Sequence, residues 1–229
     1  MLKRARKSAQ LSFADRPRRD GKKRQRPGRK AAERANVRHR ERPSHSRHVP
    51  IHVTLRARSG LPSFRRQTLY AAFEKALRNT RREDFRIVEF SVQDNHVHLI
   101  VEADDKNALA RGMTSFSVRA NRLFNSASGR KRGRVWGDRY HRRDLKSPRQ
   151  VRNALVYCVN NFRKHARITD PRPIVDVCSS GRWFSGWVTG REPEPAPSPT
   201  AEAQTYLLRV GWHRQHGFIH PAEHPRFAS

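Results

Sequence analysis

Asp94-Asn95-His96-Val97-His98-Leu99-Ile100-Val101 is the stretch on which the reading of this chain turns. Two histidines stand two residues apart inside an apolar run. In a strand, side chains alternate between faces, so His96 and His98 point the same way while Val97, Leu99 and Val101 point into a core. Two imidazoles on one face can hold a divalent metal with open coordination positions. The plainer alternative is a polar strand face that happens to carry histidines, and short motifs often mislead.

Composition narrows the choice. Fifty Lys and Arg against twenty Asp and Glu give a net charge of +30 over 229 residues. Such an excess repels itself unless a polyanion neutralises it, which points to nucleic acid. No run approaches the length of a membrane span, and no apolar stretch follows the basic N-terminus as a secretory signal requires. Cys158 and Cys178 make neither a disulfide framework nor a CxxC site, so a cytoplasmic, nucleoid-associated protein is expected.

Around the histidine stretch the elements follow in order. Ile51 to Leu55 alternates as a strand. Residues 64–79 carry Leu69, Ala72, Phe73, Ala76 and Leu77 at helical spacing. Phe85 to Val92 is a second strand, joined to the histidine strand through the turn Gln93-Asp94-Asn95. Asp104-Asp105 caps a helix over about 106–124, with Arg111 and Arg119 off its apolar stripe. A Ser/Gly/Lys/Arg loop at 125–133 suits a phosphate backbone, or is an exposed connector. Tyr140 to Leu145 reads as a strand. Ser147-Pro148 opens a last helix to about His165, with Val151, Leu155, Cys158, Val159 and Phe162 on its apolar stripe and Tyr157, Asn161 and Lys164 opposite. Trp136 and Tyr140 are either base-stacking or core aromatics.

The order strand, helix, strand, strand, helix, strand makes an α+β, ferredoxin-like split βαβ with an antiparallel sheet. The last helix lies over the histidine face. Residues 1–48 form a basic arm expected to be disordered. Residues 49–168 are expected to form the main domain, 169–192 an aromatic wrap, 193–200 a Pro-rich linker and 201–229 a short appendage.

Asn95 to Val101, Val135 to Tyr140 and Leu155 to Asn161, taken in that order, resemble the HUH single-strand DNA endonucleases. Among these the chain is most similar to REP-associated tyrosine transposases, relatives of the single-tyrosine transposases. Relatives often read Tyr-Ile-His-x-Asn-Pro at the last motif; here Val159 and Phe162 stand at the His and Pro positions. The resemblance implies that His96, His98 and Asn161 bind Mg²⁺ or Mn²⁺. It implies that Tyr157 attacks a phosphodiester of single-stranded or hairpin DNA, leaving a 5′-phosphotyrosine and a free 3′-OH. It leaves a monomer or a homodimer open. Arg111, Arg119, Arg139, Arg142, Arg143, Trp136 and Lys164 are the candidate DNA contacts. Two other readings stay open: a DNA-binding protein of this fold that no longer cuts, and a basic RNA-binding protein in which the histidines and Tyr157 are structural.

Overall fold

The computed structural model describes residues 43–165, 172–188, 190 and 193–225. Most of the arm expected at 1–48, and part of the segments on either side of residues 172–190, lie outside the described residues. Four strands, β1 (Ile51–Arg56), β2 (Phe85–Val92), β3 (His96–Ala103) and β4 (His141–Asp144), form one antiparallel sheet in the order β2-β3-β1-β4. Helices α1 (Gln67–Arg78) and α2 (Lys106–Ala127) connect them, and α3 (Pro148–His165) follows β4. This is the doubled split βαβ of a ferredoxin-like sheet, as expected from the order of elements. No described helix is long and apolar enough to cross a membrane.

The termini of the helices follow local chemistry. The Asp105 carboxylate accepts from the backbone N–H groups of Asn107 and Ala108 at 2.7 Å each, satisfying two otherwise orphaned donors of α2. Ser147 caps α3 through Gln150 N–H at 3.3 Å, and the Gln150 side chain returns to the Lys146 N–H at 2.7 Å. This is a reciprocal cap of the Ser-x-x-Gln kind, with Pro148 at the first helical position.

The sheet has two covered faces. Ile51, Val53 and Leu55 of β1 join Val97, Leu99 and Val101 of β3 in a core with α1 and α2. Ile100 and Val88 face the other way and pack with Leu155, Cys158 and Val159 of α3. The phase of β2 switches partway along. Ile87 pairs with Val101 but Glu89 pairs with Ile100, so Val88 is an extra residue in a bulge. The bulge turns two consecutive residues, Val88 and Glu89, toward α3. Without it Glu89 would point into the apolar layer beneath.

Residues beyond α3 close the structure. A short stretch at 176–180 caps the free edge of β2: Val92 donates to Cys178 O at 2.8 Å and Phe90 to Ser180 Oγ at 2.9 Å. Arg65 holds that stretch through a two-pronged ion pair with the buried Asp176, at 2.7 and 2.9 Å. A π turn at Leu207–Gly211 leads into α4 (Trp212–His216), which packs on the outer side of α3. Glu102 of β3 accepts from the N–H groups of Gln204 and Thr205 at 2.9 Å each. Three side chains of α3 clasp residues 217–223: Arg152 pairs with Glu223, Asn160 donates to His220 O and Glu223 O, and Arg163 donates to Pro221 O. Helix α3 is thus covered on both sides, by the sheet and by this segment.

Two outcomes follow from the packing. A Cβ added at Gly112 of α2 would stand 2.1 Å from the ring of the fully buried Phe85. Alanine is favoured over glycine in a helix by about 1 kcal/mol, but overpacking against a fixed ring costs roughly 1–3 kcal/mol. Gly112→Ala therefore lowers the melting temperature, by roughly 2–6 °C for a domain of this size; an unchanged or raised value contradicts this packing. Burial pushes the Glu89 carboxyl from 4.5 up to about 8. The folded chain then keeps a proton that the unfolded chain releases, so this group's stabilising contribution is full below the lower value and is lost as pH rises toward the upper one. Denaturant midpoints measured across that window fall with pH in the wild type, and this part of the slope is missing in Glu89→Gln.

Candidate active site

The site is built on the α3 face of the sheet, where strand pairing sets side chains in rows. Thr54 of β1 lies opposite His98, Arg56 opposite His96, and Ser91 of β2 opposite His98 from the other side. His52 lies one row along, between Arg143 of β4 and Ile100. His96 and His98 are both buried and share this face as the alternation predicts, their ring centroids 4.8 Å apart.

Each ring is oriented through its Nδ1. That of His98 lies 3.1 Å from Thr54 Oγ1 and 3.2 Å from His52 Nε2. That of His96 lies 2.8 Å from the Oδ1 of Asn95. Asn95 belongs to the β2–β3 turn, which is tied down: Ala57 donates to Asn95 O at 2.8 Å, and Phe64 donates to Asp94 O at 2.9 Å. Such contacts restrain the ring planes of both histidines.

Helix α3 brings Tyr157 onto this face. Its ring meets that of His98 edge-on at 4.9 Å and that of His52 at 5.8 Å. Lys164 Nζ stands 5.7 Å from the Tyr157 ring centroid. Burial raises the tyrosine's pKa, and the nearby positive charge of Arg56 works against that rise. Burial, with Arg143 adding to it, pulls His52 down to about 4, so that imidazole is neutral at physiological pH.

Asn161 follows Tyr157 by one helical turn and is fully buried, and both atoms of its carboxamide lack a hydrogen-bond partner. An unsatisfied buried amide costs about 1–3 kcal/mol, so its retention calls for a ligand. Among the described residues no three His, Cys, Asp or Glu side chains form a metal-binding group. Besides the imidazoles of His96 and His98, the orphaned Asn161 carboxamide is a group that could serve a metal ion. Cys158 is fully buried with its thiol pushed well above the ordinary value, which makes it a packing residue.

The candidate DNA contacts divide by location. Arg143 and Arg139 are exposed, Arg143 beside His52 in the sheet register. Arg111 and Arg119 lie on α2, across the sheet from the histidines; Arg111 pairs with Asp84 at 2.7 Å and Arg119 with Ser115. Two residues serve the fold instead. The Arg142 side chain is 7% exposed and gives a two-pronged pair to Asp144, because alternation turns it away from its exposed neighbours. Trp136 is a core aromatic: it packs edge-on against Phe64 and its indole N–H donates to Ser117 O at 3.1 Å. The sequence reading missed His52, Thr54 and Arg56. Their signal was the polar alternation within Ile51–Arg56, but only the pairing with β3 places them beside the histidines.

Residues 46–157 match the family described as Transposase IS200 like, a span that runs from just before β1 to Tyr157 itself. No curated protein matches. A solved structure of a REP-associated tyrosine transposase bound to a REP hairpin is similar at 19% identity, covering 58% of this chain and 76% of that one with a TM-score of 0.46. Residues 46–157, which hold the sheet, the histidine strand and α3 as far as Tyr157, are similar to the IS200-like transposases.

Proposed function

We propose that this domain is a metal-dependent endonuclease and strand transferase that cuts single-stranded or hairpin-bearing DNA through a 5′-phosphotyrosine. The observation that carries this reading is the meeting of Tyr157 with His98, one turn from the orphaned carboxamide of Asn161. A purely structural face would not leave a buried amide unsatisfied beside a tyrosine and two oriented imidazoles.

His96, His98 and Asn161 would hold Mg²⁺ or Mn²⁺; imidazole suits transition metals, while an amide oxygen and water suit either ion. The metal, when bound, polarises and orients the scissile phosphate. Tyr157 supplies the nucleophile. Its Oη forms the bond to phosphorus as the P–O3′ bond breaks, and the proton lost by the phenol is balanced by the one gained by the departing O3′, which leaves as a 3′-OH. Arg56 favours the ionised phenol through its charge, against the burial that disfavours it. One phosphodiester replaces another, so the bond energy is kept. A 3′-OH can then attack the phosphotyrosine and restore a DNA strand, which makes transfer possible without ATP.

The +30 charge supplies affinity for the phosphate backbone without sequence information. Arg143 and Lys164 are the members of the basic set that lie beside the site, with Arg111, Arg119 and Arg139 on the α2 side of the sheet. The family match favours DNA over RNA as the polyanion.

The test is a covalent-adduct assay with labelled single-stranded hairpin DNA and Mg²⁺ or Mn²⁺ on a denaturing gel. Wild type yields a labelled, protease-sensitive band. Tyr157→Phe yields none while its DNA affinity stays within about twofold. His96→Ala and His98→Ala each lower the adduct by at least about a hundredfold, and Asn161→Ala by roughly 10–100-fold. Tight hairpin binding with no adduct in any protein would instead assign a DNA-binding domain that does not cut.

A further inference from the structure

Several arginines of this chain are held by carboxylates: Arg65 by Asp176, Arg86 by Glu102 and Arg142 by Asp144. Arg56 is not. Among the described residues its guanidinium meets no carboxylate, yet its backbone is fixed on both sides. It is the last residue of β1 and lies opposite His96. Its carbonyl accepts from the Gly137 N–H at 2.9 Å, and the next residue, Ala57, donates to Asn95 O at 2.8 Å. Strand alternation sets its side chain on the face of His52 and Thr54, while Ile51, Val53 and Leu55 enter the other layer. Arg56 is exposed, and its charge reaches the phenol of Tyr157.

A guanidinium in that place suits a phosphodiester. Its planar fork offers parallel N–H donors to two non-bridging oxygens. As Tyr157 Oη attacks, those oxygens take on further negative charge, and a donor already in position stabilises that state more than the ground state. The other cations stand elsewhere. Arg143 lies opposite His52, four residues back along β1. Lys164 stands over the tyrosine ring. Arg139 lies on the α2 side of the sheet.

We propose that Arg56 is a catalytic residue that holds the non-bridging oxygens of the scissile phosphate while Tyr157 attacks. The inference rests on the cleavage reading above. Arg56 makes and breaks no covalent bond and keeps its proton throughout: the Oη–P bond forms, the P–O3′ bond breaks, and the guanidinium only follows the charge. The phosphotyrosine keeps the same two oxygens, so Arg56 serves rejoining as well as cleavage.

The scissile position is mapped first, from the fragment with a free 3′-OH that the wild type releases. On that DNA at saturation, Arg56→Ala lowers the rate of adduct formation by roughly 10²–10³-fold. Arg56→Lys keeps the charge without the fork and recovers roughly tenfold of that loss. Melting temperatures confirm that both variants fold. The Mn²⁺ concentration for half-maximal rate stays within about twofold of wild type, which a displaced His96 would not allow. The contact itself is read by binding, with EDTA present so that no metal ion answers for the phosphate charge. In Tyr157→Phe, a single methylphosphonate at the scissile position weakens binding by about fivefold. In the Arg56→Ala/Tyr157→Phe double variant the same neutralisation changes binding by less than about twofold, the coupling expected of groups in contact. An unchanged rate in Arg56→Ala, equal methylphosphonate effects in the two proteins, or coupling at a flanking phosphate instead overturns the assignment and leaves the nucleophile intact. Wild-type protein that forms no adduct with hairpin DNA overturns the cleavage reading, and the role of Arg56 with it.

Discussion

The burial of β3 on both of its faces is the constraint on which the rest depends. All eight of its residues are buried. Val97, Leu99 and Val101 go into the layer with α1 and α2, while His96, His98, Ile100 and Glu102 go toward α3 and the segment behind it. Burying three aliphatic side chains contributes on the order of 5–9 kcal/mol. A slip of one residue would exchange those chains for imidazoles and a carboxylate, so the apolar side of the strand fixes the register of the polar side. Specifying the fold and aiming the histidines are the same event.

That stabilisation carries the groups of the α3 face that a core would not choose. His52 is held neutral, Glu89 is held protonated, and the Asn161 carboxamide is unsatisfied. These departures gather on one face of one sheet. The opposite layer, where Phe73, Phe90 and Phe116 pack together, is conventional apolar core. Concentration of locally unfavourable features on one face is what a site under functional demand looks like.

Much of this was legible in the sequence where the cause is local. The bounds of β2, the Asp105 cap, the Ser147-Pro148 start of α3 and the shared face of His96 and His98 all follow from neighbours within a few residues. What escaped depends on partners far along the chain. His52 and Thr54 meet His98 across forty-four to forty-six residues, and a strand's alternation does not say which strand pairs with it. The bulge at Val88 is visible only once β3 is laid beside β2. Trp136 and Arg142 sit among basic residues, and that neighbourhood suggested contact with DNA. Their partners Ser117, Phe64 and Asp144 settle them as structural. The two sides of α3 look different in sequence, but both become interior because residues 203–223 fold back over it.

The clasp on α3 also has a bearing on time. Arg152 and Asn160 wait for partners sixty or more residues downstream, and Glu102 for partners more than a hundred away. Every strand of the sheet, by contrast, has been made by Asp144. As the chain leaves the ribosome, the sheet can close over α1 and α2 while the tyrosine helix still lacks its outer cover. The face that carries the histidines and Tyr157 is therefore the last part of the molecule to mature. A nascent chain attracted to DNA by its basic residues would arrive with its tyrosine helix not yet locked in place.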